Sequence, residues 1–444
     1  MEEPSRVVRS VKMSKLTIMP VKSLKGVVKA PPSKSHSHRI LVVGLLSDEN
    51  IRISNPLLAG DVYATINGCK LFGAKLKIRR GLLEVTPPST LTAPSEVLDA
   101  QNSATTIRFM MPIASMAKGT TVLRGSRSLN KRPMGDLITA LTKLGAKCKY
   151  LDKEGYPPIS ITGNSLFGGE TQISGAVSSQ FISSLLLSLP KCKVDSTIRV
   201  LPPVKSKPYI NMTLEILKKS GVHVNATGDL KKFIIPANQH YNIKEYYVPS
   251  DYSSMAFILA AAAITNSEIT VKNVDFNSVS ADKKILSDLG GMGVNMNIDT
   301  EGNKLIVKGA KLVGRKIYCG NSPDLIPILT VVASYAKGKT ILYGAEHVRY
   351  KESDRLFTIS KELRKMGAEI RETRTGLTII GKNKLNAAGD LESYGDHRIF
   401  MSLCVAALKA EGPCTINGLD CYRDSYPSFI QDLKKIGVEV KEDI

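Results

Sequence analysis

Three features of the sequence predict an α/β fold of two similar lobes, each built from three repeats with helices at the centre and sheets at the perimeter. A glycine-capped amphipathic helix recurs six times at a nearly constant spacing. A polar start followed by an almost wholly apolar helix recurs with the same period, and after each comes a short run of β-forming residues. A fixed period of this kind is the mark of one supersecondary unit repeated.

The glycines are Gly73, Gly145, Gly221, Gly293, Gly367 and Gly437, at intervals of 70 to 76 residues. Each follows Leu or Cys by four positions and precedes Ala or Val. Glycine at such a point takes the left-handed conformation that ends a helix without a Cβ clash. The apolar helices are expected over residues 35–46, 102–116, 178–189, 250–264, 324–335 and 396–408. A helix apolar on all sides is a buried one. The strands that follow are expected at 51–53, 120–123, 197–200, 269–271, 340–342 and 414–416, each rich in Ile, Val and Thr. The unit thus reads buried helix, strand, amphipathic helix, strand, strand. Central helices ringed by sheets invert the usual α/β barrel, and three units suffice for one core. The residue before a proline is held extended. The Pro31-Pro32 and Val248-Pro249 steps are therefore the expected crossovers. They define one lobe of residues 1–32 and 249–444 and a second, inserted lobe of 33–248. The opening strand, 16–19, should then pair with residues beyond 249.

The chain of 444 residues is 43% hydrophobic, with 61 Lys and Arg against 40 Asp and Glu, a net charge of +21. Such an excess implies anionic partners. Aromatics are only 6%, Trp is absent and the cations are scattered. That is a poor match to the stacking surfaces of a nucleic-acid binder, so no nucleic-acid partner is expected. An RNA-binding scaffold is the rival from another class, and it would show a steep loss of RNA affinity with salt. No apolar run has membrane-spanning length. Residues 1–12 hold no apolar signal core and read as an extension, with Met13 a candidate start, so a cytoplasmic protein is expected. The seven Cys form no C-x-x-C pair and read as reduced thiols. His36 and His38 are the one close His pair, and nothing completes a metal site around them, so neither metal nor cofactor is expected. Residues 309–316 brush the phosphate-loop pattern but carry Arg315-Lys316 where Lys-Ser/Thr is needed.

Chemistry gathers at the starts of the apolar helices. These carry Lys34-Ser35 with Arg39, Asn102-Ser103, Ser178-Ser179-Gln180, Ser250-Asp251, Asp324 and His397-Arg398. Equivalent units place such starts on one side of each lobe. Free helix N-terminal N–H groups, hydroxyls and cations then converge on a cleft suited to polyanionic small molecules. Two further clusters stand apart. Lys351-Glu352-Ser353-Asp354-Arg355-Leu356 reads as the head of an amphipathic helix, with Lys351 and Arg355 on one face at i and i+4. Lys131-Arg132-Pro133 reads as a basic loop before a helix with Pro at its first position. By spacing alone, a solvated charged helix start is the better reading of the first, and the second is likewise readable as only a basic loop.

With these stretches in order the chain resembles the enolpyruvyl transferases, and within them the branch that uses shikimate 3-phosphate. The matching motifs are Ser33 to Arg39, Asn102 to Arg108, Lys131-Arg132-Pro133, Ser178-Ser179-Gln180, Ser206 to Tyr209, Asp324, His347 to Leu356, Asp396-His397-Arg398 and Ser425-Tyr426-Pro427. The resemblance implies two lobes of three βαβαββ units. It also implies transfer of the enolpyruvyl group of phosphoenolpyruvate to the 5-hydroxyl of shikimate 3-phosphate, by a monomer without cofactor. It further implies Asp324 as base and Glu352 as the acid for C3, with Lys34 between both substrates. Ser35, Arg39, Ser178, Ser179, Gln180, Ser206 and Lys351 match shikimate-phosphate contacts. Ala104, Arg132, Arg355 and Arg398 match the phosphoenolpyruvate pocket. Guanidinium forks suit phosphate and carboxylate there. Three positions depart from the common pattern: Ala104 for Gly, His347 for Asn, and Asp424 for Lys. An added Cβ at Ala104 implies tolerance of glyphosate. The sister enzymes that act on a UDP-amino sugar use a loop Cys as acid, and no Cys here lies in a Gly-rich loop. The matched cations divide between the lobes and are opposed only by Asp324 and Glu352, so the cleft is expected to stand open until polyanions bridge it.

Overall fold

The six apolar stretches are helices: Lys34–Leu46, Ala104–Met116, Ser179–Ser188, Tyr252–Ile264, Ile326–Ser334 and His397–Ala407. In Tyr252–Ile264 every residue is buried, as its composition demands. Five amphipathic partners are Gly60–Leu71, Gly135–Lys143, Lys207–Lys219, Lys284–Gly291 and Arg355–Lys365, and the sixth is the shorter Phe429–Lys435. All six period glycines adopt left-handed φ, from +79° at Gly221 to +103° at Gly293. The computed structural model describes residues 14–164 and 166–443. The extension read at 1–12, with Met13, lies outside the described residues.

Among the described residues, six four-stranded sheets surround the helices. In one, Gly169–Ser174 runs parallel to Ser196–Leu201, which pairs antiparallel with Lys232–Ile235, which in turn pairs with Asn225–Ala226. Strands alternate buried and exposed residues, as in Glu268–Lys272, so one sheet face meets the helices and the other meets water. Three sheets borrow a strand from a distant part of the chain. Lys25–Lys29 lies parallel to Glu268–Lys272, and Glu245–Tyr247 lies parallel to Ile51–Ser54. Lys15–Ile18 is inserted between Cys414–Asn417 and Val440–Asp443.

The buried apolar residues form two cores. One joins Leu16 to Ala30 with Tyr252 to Val438, and the other holds Ile40 to Val248. The chain passes between them twice, and the two passages are bonded to each other. Ser33 N donates to Pro249 O at 2.8 Å and Asp251 N donates to Pro31 O at 2.7 Å. Proline cannot donate, so neighbours on both strands supply the donors. This double strap fixes the start of Lys34–Leu46 against the start of Tyr252–Ile264.

Candidate active site

Side-chain caps set the starts of the central helices. Ser33 accepts from His36 N, Ser103 from Thr106 N at 3.2 Å, and Ser178 from Gln180 N at 3.3 Å. In the other lobe Asp251 accepts from Ser254 N at 3.0 Å and Asp396 from Arg398 N at 2.9 Å. The fifth start differs: a 3-10 turn, Pro323–Leu325, precedes Ile326–Ser334 and carries Asp324. Each cap satisfies a donor that the helix leaves free, and beside all of these caps but Asp251 the next residue, Lys34, Ala104, Ser179 or His397, lines the space between the lobes. That space is lined by all fourteen side chains named from the motifs: Lys34, Ser35, Arg39, Ala104, Arg132, Ser178, Ser179, Gln180, Ser206, Asp324, Lys351, Glu352, Arg355 and Arg398.

Its centre is a guanidinium held by three carboxylates. Arg355, 1% exposed at its side chain, donates to Asp324 at 2.7 Å, to Glu352 at 2.6 Å and to Asp396 at 2.8 and 3.2 Å. Asp324 also faces Arg398 at 3.4 Å and Lys351 at 3.6 Å. Burial opposes ionisation of Asp324, but Arg398, Lys351 and Arg355 together overcome it and hold the carboxyl well below the usual range. Glu352 is likewise opposed by burial and held low by Arg132, at 3.4 Å from the other lobe, and by Arg355. Burial disfavours the charge of Lys34, yet Asp61 at 2.7 Å more than restores it and the ammonium is held above its ordinary value. Burial, with Arg355 and Arg108 near, leaves Lys351 below its ordinary value despite Asp324. His347 is pushed down to about 4, by burial and then by Lys351 and Lys205. His397 is pushed well below its ordinary range, chiefly by burial. Both rings are therefore neutral near pH 7.

Several donors here are unmet. Nε and Nη2 of Arg132, Nε of Arg108 and Nε of Arg398 are buried without a partner, as are both ring nitrogens of His347. A buried donor without a partner costs about 1–3 kcal/mol. The anionic oxygens of a phosphate or carboxylate would satisfy such guanidinium edges. The lobes touch around the site. Lys205 meets Glu346 at 2.7 Å, Ser206 N donates to Gly320 O at 3.2 Å, and Ser128 Oγ donates to Glu352 O at 3.1 Å.

Three expectations are corrected. Lys351 and Arg355 do not share a helix face. The helix begins at Arg355 because Asp354 caps it, accepting from Phe357 N at 3.2 Å, and Lys351 lies before the cap in extended backbone. The two reach Asp324 from a turn and a helix start. Pro133 is not the first helical residue, since the helix starts at Gly135 after the cap position Met134. Finally, Asp324 and Glu352 are not alone against the cations. Asp61 neutralises Lys34, and Asp396 shares Arg355.

Sequence reasoning gave no role to several residues of the site. Arg108 donates to Gln180 Oε1 at 2.8 Å and Ser178 Oγ at 3.2 Å, and so orients two of the hydroxyl and amide groups that line the cavity. It lies four residues after Ala104, one turn inside a motif already singled out. Asp61 stands in the first turn of Gly60–Leu71, and only tertiary folding brings it to Lys34. Asp424 does not line the cavity. It lies beside it, accepting from Asn102 Nδ2 at 3.4 Å, and is pushed up to about 7 by burial and by Asp61.

The family model described as EPSP synthase (3-phosphoshikimate 1-carboxyvinyltransferase) matches residues 18–433. The chain is 44% identical over 417 residues to a 3-phosphoshikimate 1-carboxyvinyltransferase of Methanocella arvoryzae, covering 94% of this chain and 97% of the relative. It is 39% identical over 421 residues to the protein of that name from Methanocaldococcus jannaschii, with coverage of 94% and 97%. Among solved structures, an EPSP synthase from Acinetobacter baumannii superposes with a TM-score of 0.79 at 28% identity, covering 97% of this chain and all of the other.

Proposed function

The chain belongs to the EPSP synthase family, the 3-phosphoshikimate 1-carboxyvinyltransferases of aromatic amino acid biosynthesis, and from that premise we propose how its cleft performs the transfer. Shikimate 3-phosphate lies against Ser35, Arg39, Ser178, Ser179, Gln180, Ser206 and Lys351. Phosphoenolpyruvate lies against Ala104, Arg132, Arg355 and Arg398, and Lys34 is shared. Asp324, ionised because Arg398, Lys351 and Arg355 outweigh its burial, removes the proton of the 5-hydroxyl as its oxygen attacks C2 of phosphoenolpyruvate. Glu352 delivers a proton to C3. In the second step Glu352 takes a proton back from C3, the C2–O bond to phosphate breaks, and phosphate departs with the proton that Asp324 had taken from the hydroxyl.

An acid must first hold a proton, and here the same groups that bind substrate control it. Arg132 and Arg355 keep Glu352 ionised at 3.4 and 2.6 Å. When phosphoenolpyruvate draws those guanidinium groups to its own anionic oxygens, their hold on Glu352 weakens and its proton affinity rises. Substrate binding thereby arms the acid. The observation that carries this reading is the single Arg355 side chain bonded to both Asp324 and Glu352.

The protein is proposed to work as a monomer in the cytoplasm. One chain's two lobes supply every lining residue, and seven free thiols suit a reducing compartment. No helix among the described residues is long and apolar enough to cross a membrane. Phosphate release from phosphoenolpyruvate with shikimate 3-phosphate, measured beside a UDP-amino sugar, tests the assignment. Release with the first acceptor alone is expected, and release only with the second would overturn it.

A further inference from the structure

Tyr209 and Asp282 meet across the cleft. Tyr209 belongs to the helix Lys207–Lys219 of one lobe, and Asp282 to the short 3-10 turn Ala281–Lys283 of the other. The Tyr209 hydroxyl donates to Asp282 Oδ2 at 2.6 Å. The backbone oxygen of Tyr209 accepts from Arg39 Nη2 at 3.3 Å, so the contact adjoins the proposed shikimate-phosphate groove.

The surroundings of Asp282 are unusual for a carboxylate. The residue is 2% exposed, and its Oδ1 has no partner. The charges around it come from five elements. Arg398 is directed to Asp324 at 3.4 Å and to Ser253 Oγ at 2.8 Å. On its own turn and the next helix, Lys283 bonds the Phe276 carbonyl and Lys284 bonds Asp288. Asp324 and Asp251 add like charge. An ionised carboxylate so placed would be buried with one hydrogen bond and negative neighbours. Burial, and after it Asp324, push the carboxyl up to about 7, which the Tyr209 bond and Arg398 do not undo.

We infer that Asp282 is a positioning residue that carries a proton when the lobes close, so that closing on shikimate 3-phosphate takes up a proton and the grip loosens as pH rises. The inference rests on the proposed substrate placement. Parting the lobes removes the cover of Tyr209 and lets water reach Asp282, which moves its carboxyl toward the ordinary value of about 4. Its proton affinity is therefore higher in the closed form. Closure is favoured most in acid, loses that advantage as pH rises from about 4 to about 7, and is level above. For this one group, the affinity for substrate falls about tenfold between pH 6 and pH 8.

The test is isothermal titration of shikimate 3-phosphate into the full chain and into Asp282→Asn, in two buffers of different ionisation enthalpy, from pH 6 to pH 8. Asparagine keeps an acceptor for Tyr209, so a purely structural role predicts one affinity ratio at every pH. The expected result is about one more proton taken up by the parent at pH 6 and almost none at pH 8, with the affinity ratio changing about tenfold across the range. A second variant, Tyr209→Phe, removes the donor that favours the carboxylate and should move the uptake window to higher pH. Equal proton counts in parent and Asp282→Asn overturn the inference. So does an unmoved window in Tyr209→Phe, which decides the matter if Asp282→Asn fails to fold. Absence of any binding by the parent would instead refute the substrate assignment itself.

Discussion

Replacing Arg355 with lysine should cripple the enzyme while keeping the charge. Arg355 makes four hydrogen bonds to three carboxylates, at 2.6 to 3.2 Å. A lysine ammonium is a single point on a flexible stem and cannot meet three carboxylates as a planar fork does, so at least two of the four bonds are lost. A hydrogen bond to a charged group is worth about 1.5–3 kcal/mol, so roughly 3–6 kcal/mol of interaction disappears, shared between the fold and the transition state. If half of it reaches the transition state, kcat/KM for phosphoenolpyruvate falls about ten- to a hundredfold, at 1.4 kcal/mol per decade. The pH profile should move as well. Asp324 must be ionised to act as the proposed base, and Arg355 is one of the groups holding its carboxyl well below the usual range. The parent therefore loses activity only when the pH falls below that range, and Arg355→Lys loses it at a higher pH. Phosphate release followed from roughly pH 3 to pH 8, so that the scan passes below the ordinary carboxylate value, measures both effects. A variant whose kcat/KM stays within about threefold of the parent, with an unmoved acid limb, would refute the reasoning.

Asp324→Asn and Glu352→Gln should each lower kcat by about 10²–10⁴-fold while shikimate 3-phosphate still binds in calorimetry; near-normal turnover in either removes that residue from the mechanism. Ala104 is 7% exposed at the first residue of Ala104–Met116, against the proposed phosphoenolpyruvate site. Ala104→Gly should tighten glyphosate inhibition by about ten- to a hundredfold, the effect of relieving roughly 1–3 kcal/mol of steric crowding, and an unchanged inhibition constant would make Ala104 purely structural. Gly437 has φ +98°, and a Cβ there would meet nothing within 4 Å. Gly437→Ala therefore isolates backbone strain and should cost about 1–2 kcal/mol in urea unfolding, an effect that an unchanged midpoint would contradict.

The architecture was legible where one residue type answers one backbone demand. Gly73 and its five counterparts are legible because left-handed φ excludes most other residues. The central helices are legible because a segment such as 252–264 has no polar face to turn outward. Local charge was less informative. The Lys351 to Arg355 run has a helical spacing, but the side chain of Asp354 decides where the helix begins, and a cap three residues past Lys351 leaves that lysine outside the helix. The pairing of the opening strand with the far end of the chain was legible from the crossovers, but side-chain pairings were not. Asp61 to Lys34 joins two helices of one lobe and Tyr209 to Asp282 spans both lobes, and in each the sequence surroundings are ordinary.

The borrowed strands have a consequence for the birth of the molecule. Lys15–Ile18 finds its neighbours only in Cys414–Asn417 and Val440–Asp443, almost the full length of the chain away. At a synthesis rate of about 5–20 residues per second, that segment waits roughly 20–80 seconds at the ribosome before a partner exists. The inserted lobe needs only Glu245–Tyr247 to finish its first sheet, so it can consolidate while the remainder is still being made. The early strands must stay soluble meanwhile, and alternation serves that end: Lys25, Val27 and Lys29 leave Lys25–Lys29 with charge at both ends and one apolar side chain between them on its outer face. A nascent chain stalled before residue 414 would hold one finished half and one with an open seam between the strands it still lacks.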